Sequence, residues 1–188
     1  METAAGITYE ELGLAARNPE RPRVCFLPSA SGDADHYIVR FYRAFPADRC
    51  EASHISLFRR EQGPEDLREH LLSQDLIYVG GGSVISLLGV WRAHGIDAIL
   101  REAWESGVVL CGLSAGSLCW FAEAHSGFHG QPRRVDGLGF LPFSNSARPA
   151  AKAYWLDPGP GGIVEVELRT TYLGKAPASS NKSTAIAA

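Results

Sequence analysis

The chain has 188 residues, 45% hydrophobic and 21% charged, which is enough for one domain with its own core. Its net charge is -3 and its 18 basic residues are scattered, so nucleic acid is not an expected partner. The four cysteines show neither a CxxC motif nor a Cys/His ligand spacing, and no HExxH motif occurs. We therefore expect reduced, buried thiols and neither a metal nor a cofactor.

The N-terminal sequence and the lengths of the apolar runs indicate where in the cell the protein is expected. The first 23 residues lack the basic start and apolar core of a signal peptide. No apolar run approaches the roughly 18 residues that a membrane span requires. These features predict a cytoplasmic protein without a membrane partner.

Strands and helices are predicted to alternate through the first two thirds of the chain. The predicted strands span residues 23–28, 51–58, 75–79 and 108–113. Between the first two strands lies a helix capped by Asp33 or Asp35, which carries Tyr37, Ile38, Phe41, Tyr42 and Phe45, and a second helix begins at Pro64. Two further helices span residues 84–91 and 96–106, and the latter ends at Gly107. Strands that are apolar on both faces and separated by helices are typical of a parallel sheet covered by helices.

The pattern is less regular after Phe121. Residues 125–134 are predicted to form a loop, and residues 135–142 to hold a short strand. Residues 152–156 and 163–168, on either side of a Pro/Gly-rich turn, are predicted to form a hairpin. We expect a single domain over residues 1–174 and a disordered tail over 175–188.

Ser114 lies between two glycines in the sequence GLSAG, after a predicted strand and before an apolar, helix-like segment. Glycines two positions before and after a serine allow the sharp turn of a nucleophile elbow, which lifts the hydroxyl clear of the sheet. Backbone amides at the start of the helix would favour an oxyanion there. This pattern favours a serine nucleophile that attacks a carbonyl over a Gly/Ser turn that occurs by chance.

Three glycines, residues 80–82, directly follow the predicted strand over residues 75–79. Such an open loop can bring a backbone N–H to a substrate carbonyl, next to the N–H of Ala115. A phosphate-binding loop is the weaker interpretation, because neither GxGxxG nor GK[ST] is present. We therefore predict an oxyanion hole between the two loops.

Four segments together resemble the peptidase E family of serine dipeptidases, which cleave aspartyl dipeptides: LPSASGDADHYIVRFYRAF, IYVGGGSVISLL, GLSAGSLCWF and DGLGFLP. The resemblance covers residues 12–142 and resumes near the predicted hairpin. It implies a flavodoxin-like α/β fold like that of class I glutamine amidotransferases, with a mostly parallel sheet and helices on both faces. It also implies that Ser114 is the nucleophile and that Gly81 or Gly82 forms the oxyanion hole with Ala115.

The sequence departs from this family where the histidine and the acidic partner are expected. The histidine position falls in FSNSARPAA, and His125-Ser126-Gly127 stands where the family often has Asp-Ser. The resemblance therefore implies that an internal block and the N-terminal strand are absent. His129 is the candidate base because it lies in a loop, whereas His125 would lie about 16 Å from Ser114 along a continuous helix. Glu123 and Asp136 are the remaining acidic candidates.

The resemblance implies a serine peptidase that cleaves a small peptide, Asp-Xaa, through an acyl-enzyme on Ser114. Two alternatives stay open. One is a catalytically impaired homologue that acts as a binding module. The other is a hydrolase of aspartyl polymers similar to cyanophycinase, a relative of the family.

Overall fold

The computed structural model describes residues 20–59, 63–146, 152–156, 163–167 and 172–173. The strands are β1 (Arg23–Leu27), β2 (Glu51–His54), β3 (Leu76–Val79), β4 (Val109–Gly112), β5 (Phe121–Ser126), β6 (Arg133–Asp136), β7 (Leu141–Ser146), β8 (Lys152–Leu156), β9 (Ile163–Glu167) and β10 (Tyr172–Leu173). The helices are α1 (Asp35–Ala44), α2 (Leu67–Leu72), α3 (Val84–His94), α4 (Ile96–Glu105) and α5 (Ala115–Leu118), with a 3-10 turn at Ser29–Ser31.

The main sheet has the order β10-β4-β3-β1-β2. β1 to β4 run parallel and β10 is antiparallel to β4, which confirms the predicted mostly parallel sheet. In the pairing of β3 with β4, Val79 lies opposite Gly112. The loops that follow these two strands therefore start side by side at the same edge of the sheet.

Helices cover both faces of this sheet, as predicted. One face packs against α1, with a buried cluster that contains Val24, Phe26, Leu76, Tyr78, Val109, Cys111, Phe41 and Phe45. The other face packs against α2, α3 and α4, with a cluster that includes Cys25, Leu27, Ile77, Val79, Leu110, Leu71, Leu87, Trp91 and Leu100. Burial on both faces explains why these strands read as continuous apolar runs.

A second five-stranded sheet, of order β6-β5-β7-β8-β9, was not predicted. β5 and β7 pair parallel and the other pairs are antiparallel. Aromatic rings join this part of the chain to the helices: the centroids of Trp91 and Trp120 are 5.8 Å apart, and those of Trp104 and Phe140 are 5.4 Å apart. The predicted hairpin is confirmed as the β8–β9 pair, with its turn outside the described residues.

The segment after Ser114 is not the extended helix that the apolar sequence suggested. α5 spans only four residues, and β5 begins at Phe121. The carbonyls of Cys119 and Trp120 accept hydrogen bonds from the N–H groups of Leu138 (2.8 Å) and Leu141 (3.0 Å), so they cannot continue a helix. The predicted loop over 125–134 is wrong at both ends, because these residues begin in β5 and finish in β6.

Two predicted helix starts are also wrong. The residue before α1 is Ala34, which provides no side-chain cap, because the Asp33 carboxylate instead accepts the N–H of Phe58 at 2.9 Å. α2 begins at Leu67 rather than at Pro64, because the Asp66 side chain accepts the N–H of Glu69 and caps the helix there.

The remaining element boundaries shift by a few residues. β2 ends at His54 rather than at 58, α3 continues to His94, and β7 runs over 141–146, beyond the short strand expected within 135–142. Gly107 follows α4 with a φ of 94°, as its predicted role as a helix stop requires. The expectations for the N-terminal strand and for the tail at 175–188 lie outside the described residues.

All four cysteines, Cys25, Cys50, Cys111 and Cys119, are buried and are not in disulfides. Burial raises the pKa of the Cys25 thiol to about 12 and also raises the pKa of Cys111 and Cys119. These thiols are therefore protonated and unreactive at neutral pH. This agrees with the reading of the cysteines as packing residues.

Acidification is expected to destabilise the fold through two half-buried histidines. Nδ1 of His54 is 2.8 Å from the Tyr42 hydroxyl, and Nε2 of His70 is 3.1 Å from Oγ of Ser53. Burial lowers the pKa of both imidazoles below 6.5. The unfolded chain therefore takes up protons first, and the free energy of unfolding falls as the pH drops below about 6.5.

Urea denaturation at about pH 7.5 and at about pH 5.5 measures this loss of stability. The drop is expected to be smaller in His70→Gln, because glutamine does not titrate. An equal drop in the wild type and the variant would contradict the assignment to His70.

Candidate active site

Ser114 is exposed at the end of β4 and has a strained backbone, with φ 52° and ψ -114°. These angles match the first central position of a type II′ turn, which favours glycine. Holding a serine there costs about 1–3 kcal/mol. The strain and the exposure together are what a nucleophile elbow requires.

The two glycines of the elbow are required by close backbone packing. A Cβ on Gly116 would lie 2.3 Å from the carbonyl oxygen of Val79, and a Cβ on Gly112 would lie 2.3 Å from the carbonyl oxygen of Gly116. The first turn of α5 is thus pressed against the end of β3. Only glycine lets the chain turn here without a clash between a side chain and the backbone.

The triglycine turn (residues 80–82) contacts the elbow directly. A Cβ on Gly81 would lie 3.4 Å from Cβ of Ser114. Gly82 has a φ of 143°, and a Cβ there would lie 2.1 Å from the carbonyl oxygen of Ala30. Ser83 donates its N–H to that same oxygen at 2.8 Å, which ties the turn to the loop after β1. The structure therefore brings the two predicted loops together.

Several backbone donors are free at this junction. Within the described residues, no acceptor takes the N–H of Gly81, Gly82 or Ala115. No hydrogen bond between the Ser114 hydroxyl and another described residue occurs either. Because α5 has only one turn, few peptide dipoles add to these donors, and the expected helix-dipole contribution is small.

His129 folds back from the β5–β6 loop, but its ring reaches Ser83 rather than Ser114. Nε2 of His129 is 2.7 Å from Oγ of Ser83, which also caps α3 by accepting the N–H of Ser86. The Ser83 hydroxyl donates this hydrogen bond in the imidazole tautomer that carries its hydrogen on Nδ1, and accepts it in the other tautomer. Ser83 directly follows the triglycine turn and caps α3, so this contact places the His129 ring beside the turn.

The other titratable candidates lie away from this pair. Nε2 of His125 is 3.0 Å from Oε1 of Glu123, and the Arg134 guanidinium is 2.8 Å from the same carboxylate. Asp136 is exposed and lies 3.7 Å from Arg134. These contacts form a surface network on β5 and β6. Among the described residues, neither Glu123 nor Asp136 forms a hydrogen bond or an ion pair with His129.

A cavity of about 70 Å³ opens on the α1 side of the elbow. It is lined by Phe26, Tyr37, Arg40, Phe41, Ala44, Phe45, Tyr78, Gly80, Gly81 and Leu113. The helical spacing of the aromatic residues of α1 was predicted from the sequence, whereas Arg40 was not identified as part of a site.

No cluster of three or more His, Cys, Asp or Glu that could hold a metal occurs in the described residues. No helix within the same part of the chain is long and apolar enough to cross a membrane.

Comparison with known families bears on this site. Residues 8–148, three quarters of the chain, match the model of Peptidase family S51. The chain belongs to peptidase family S51. The matched range contains the triglycine turn, the elbow and His129.

The chain is also similar to one curated protein and to one solved structure. The chain is 49% identical over 122 residues to the uncharacterized peptidase YgaJ of Bacillus subtilis (strain 168), over 65% of this chain and 52% of that protein. The chain thus spans about half the length of this curated relative. A 1.5 Å crystal structure from Listeria monocytogenes EGD-e, provisionally assigned as a peptidase E, superposes with a TM-score of 0.52 at 15% identity, over 86% of this chain and 96% of that one. This structural similarity supports the fold.

Proposed function

We propose that the protein is a serine-type peptidase in which Ser114 attacks the carbonyl of a small peptide. The observation that carries this proposal is the exposed, strained Ser114 in contact with the triglycine turn. A strained residue with no bonding partner for its side chain among the described residues is costly to keep unless the position serves a function. Membership of a peptidase family supports the same reading.

The proposed reaction has two steps. Ser114 Oγ bonds to the peptide carbonyl carbon while its proton passes to a base. The resulting oxyanion accepts hydrogen bonds from the N–H of Ala115 and from Gly81 or Gly82, whose donors have no acceptor among the described residues. The tetrahedral intermediate then collapses. The amine leaves with the proton that the base took from Ser114, and an acyl-enzyme remains on Ser114. Water then attacks the ester and releases the acid and the free hydroxyl of Ser114.

His129 is the proposed base. Its Nε2 forms a hydrogen bond with Oγ of Ser83, the residue that directly follows the triglycine turn, so the ring is already held at the site. Taking the proton of Ser114 requires the ring to exchange its Ser83 partner for the Ser114 hydroxyl. Catalytic hydrogen bonds are often formed only in the complex with substrate, which is consistent with this exchange.

Replacing His129 is expected to slow covalent labelling of Ser114 by a fluorophosphonate. Removal of a general base costs about 10²–10⁴ in rate, so His129→Ala should react at least about 10²-fold more slowly than the wild type. His125→Ala is the matched control, because this histidine lies on the same hairpin and pairs with Glu123. Intact-protein mass spectrometry over a time course measures both rates. Equal rates for His129→Ala and the wild type would exclude His129 as the base.

The resemblance to peptidase E suggests Asp-Xaa dipeptides as substrates. A panel of Asp-Xaa dipeptides, matched Ala-Xaa dipeptides and an aspartyl polymer separates the possibilities. Preferential release of amino acid from Asp-Xaa supports the dipeptidase. Faster cleavage of the polymer supports a cyanophycinase-like hydrolase instead.

A catalytically impaired homologue that binds peptides in the same cleft is the second candidate. It is favoured by the absence of a base hydrogen-bonded to Ser114 among the described residues. Without a positioned base, residual rate comes from the oxyanion hole and binding alone. Wild-type protein that binds Asp-Xaa peptides but takes up no fluorophosphonate would support this candidate and reject the peptidase.

A further inference from the structure

We infer that the cavity beside Ser114 binds the C-terminal residue of the peptide, with its apolar side chain inside the cavity and its carboxylate on Arg40. The inference rests on the proposed function and adds the identity of the leaving residue. It predicts dipeptides such as Asp-Leu as preferred substrates.

The cavity lies next to the proposed nucleophile. Its lining includes Leu113, which precedes Ser114, and Gly81, whose Cβ position is 3.4 Å from Cβ of Ser114. A group in the cavity therefore borders the point where the scissile bond would lie. The volume of about 70 Å³ exceeds by several times the roughly 10–15 Å³ that one water needs, so it has room for a side chain.

The inner wall of the cavity is apolar and already packed. Phe26 stacks on Phe41 at 4.9 Å and on Tyr78 at 5.5 Å between ring centroids, and Phe45 lies 4.9 Å from Phe41. These rings face the cavity from the buried cluster under α1. A carboxylate pushed among them would lose its hydration without compensation, which disfavours the aspartyl side chain as occupant. An aliphatic side chain gains from burial there.

Among the described residues that line the cavity, Arg40 is the only one with a positive charge. It is exposed on α1, and its guanidinium lies 5.8 Å from the ring centroid of Tyr37, another lining residue. No carboxylate of the described residues pairs with it. A guanidinium that is held over an aromatic ring and not paired with an acid is suited to bind a carboxylate through two parallel hydrogen bonds.

An apolar pocket beside one cation matches the chemistry of a C-terminal amino acid. Such a residue carries its carboxylate one carbon away from an aliphatic or aromatic side chain. An internal peptide residue presents a neutral amide at that position and would leave Arg40 without a partner. The site therefore selects short peptides that end one residue after the scissile bond.

Binding of N-acetyl-leucine and N-acetyl-leucinamide tests the inference without requiring turnover. Calorimetry or NMR titration of the wild type should show that the acid binds at least about tenfold more tightly than the amide, which lacks the charge. Arg40→Gln should lose about tenfold in affinity for the acid and little for the amide. Arg43→Gln, an exposed arginine on the same helix that does not line the cavity, should match the wild type. Ala44→Leu, which fills the cavity, should weaken both ligands, and its thermal melt shows whether it folds.

Equal binding of the acid and the amide, or unchanged binding in Arg40→Gln, would overturn the inference. Protein that is labelled at Ser114 but does not discriminate the two ligands rejects the subsite and keeps the peptidase. Protein that discriminates them but is not labelled keeps the subsite and rejects the peptidase.

Discussion

Gly116→Ala and Gly82→Ala are expected to lose about 3 kcal/mol or more of stability each. In both variants the new methyl group meets backbone, at 2.3 Å from the Val79 carbonyl oxygen for Gly116 and 2.1 Å from that of Ala30 for Gly82. Backbone atoms of packed strands and loops cannot move aside as the end of a flexible side chain can. Gly82 also has a φ of 143°, which L residues rarely adopt.

Gly89→Ala is the matched control for these two variants. Gly89 lies in the middle of α3, is exposed, and its Cβ position has no neighbour within 4 Å. Alanine there should raise stability by about 0.5–1 kcal/mol, because it restricts the unfolded chain. Urea or thermal denaturation of the three variants measures the difference. Comparable stability in all three would mean that the elbow and the triglycine turn are not packed as described.

Ser114→Ala is expected to lower Asp-Leu hydrolysis by at least about 10³-fold while stability stays within about 0.5 kcal/mol. The hydroxyl forms no hydrogen bond with another described residue, so its removal leaves the fold unchanged. The strained backbone remains in this variant, because alanine also disfavours a φ of 52°.

Ser114→Gly separates the strain from the chemistry. It should be as inactive as Ser114→Ala but about 1 kcal/mol more stable than the wild type, since glycine tolerates this conformation. Dipeptide hydrolysis and denaturation of the same samples give both readouts. Turnover retained in either variant, or lower stability in Ser114→Gly than in Ser114→Ala, would contradict the account of the elbow.

The main sheet could be predicted because its strands carry a local signal. β1, β3 and β4 are buried on both faces, so each appears as an apolar run between helices. The second sheet carries a weaker signal: β6 is charged and mostly exposed, and only two of the six residues of β5 are buried. α5 stops because Cys119 and Trp120 bond to residues about 20 positions later, and a short sequence window does not contain that information.

The elbow was predictable for the same reason, since one pentapeptide carries the serine and both glycines. The contact of His129 with Ser83 spans 46 residues and depends on the β5–β6 pairing, which the sequence pattern did not show. Arg40 was not identified because a helix with an apolar face normally carries exposed arginines. It became a candidate only when the structure placed it beside a cavity that reaches the elbow.

The most direct test of the central claim is to map the site of fluorophosphonate attachment on the wild-type protein. The claim is that a tight turn presents the Ser114 hydroxyl to free backbone donors of the triglycine turn and of Ala115. We expect a single adduct on the peptide that contains Ser114, which disappears in Ser114→Ala. Absence of an adduct, or an adduct on Ser83 or another residue, would contradict it.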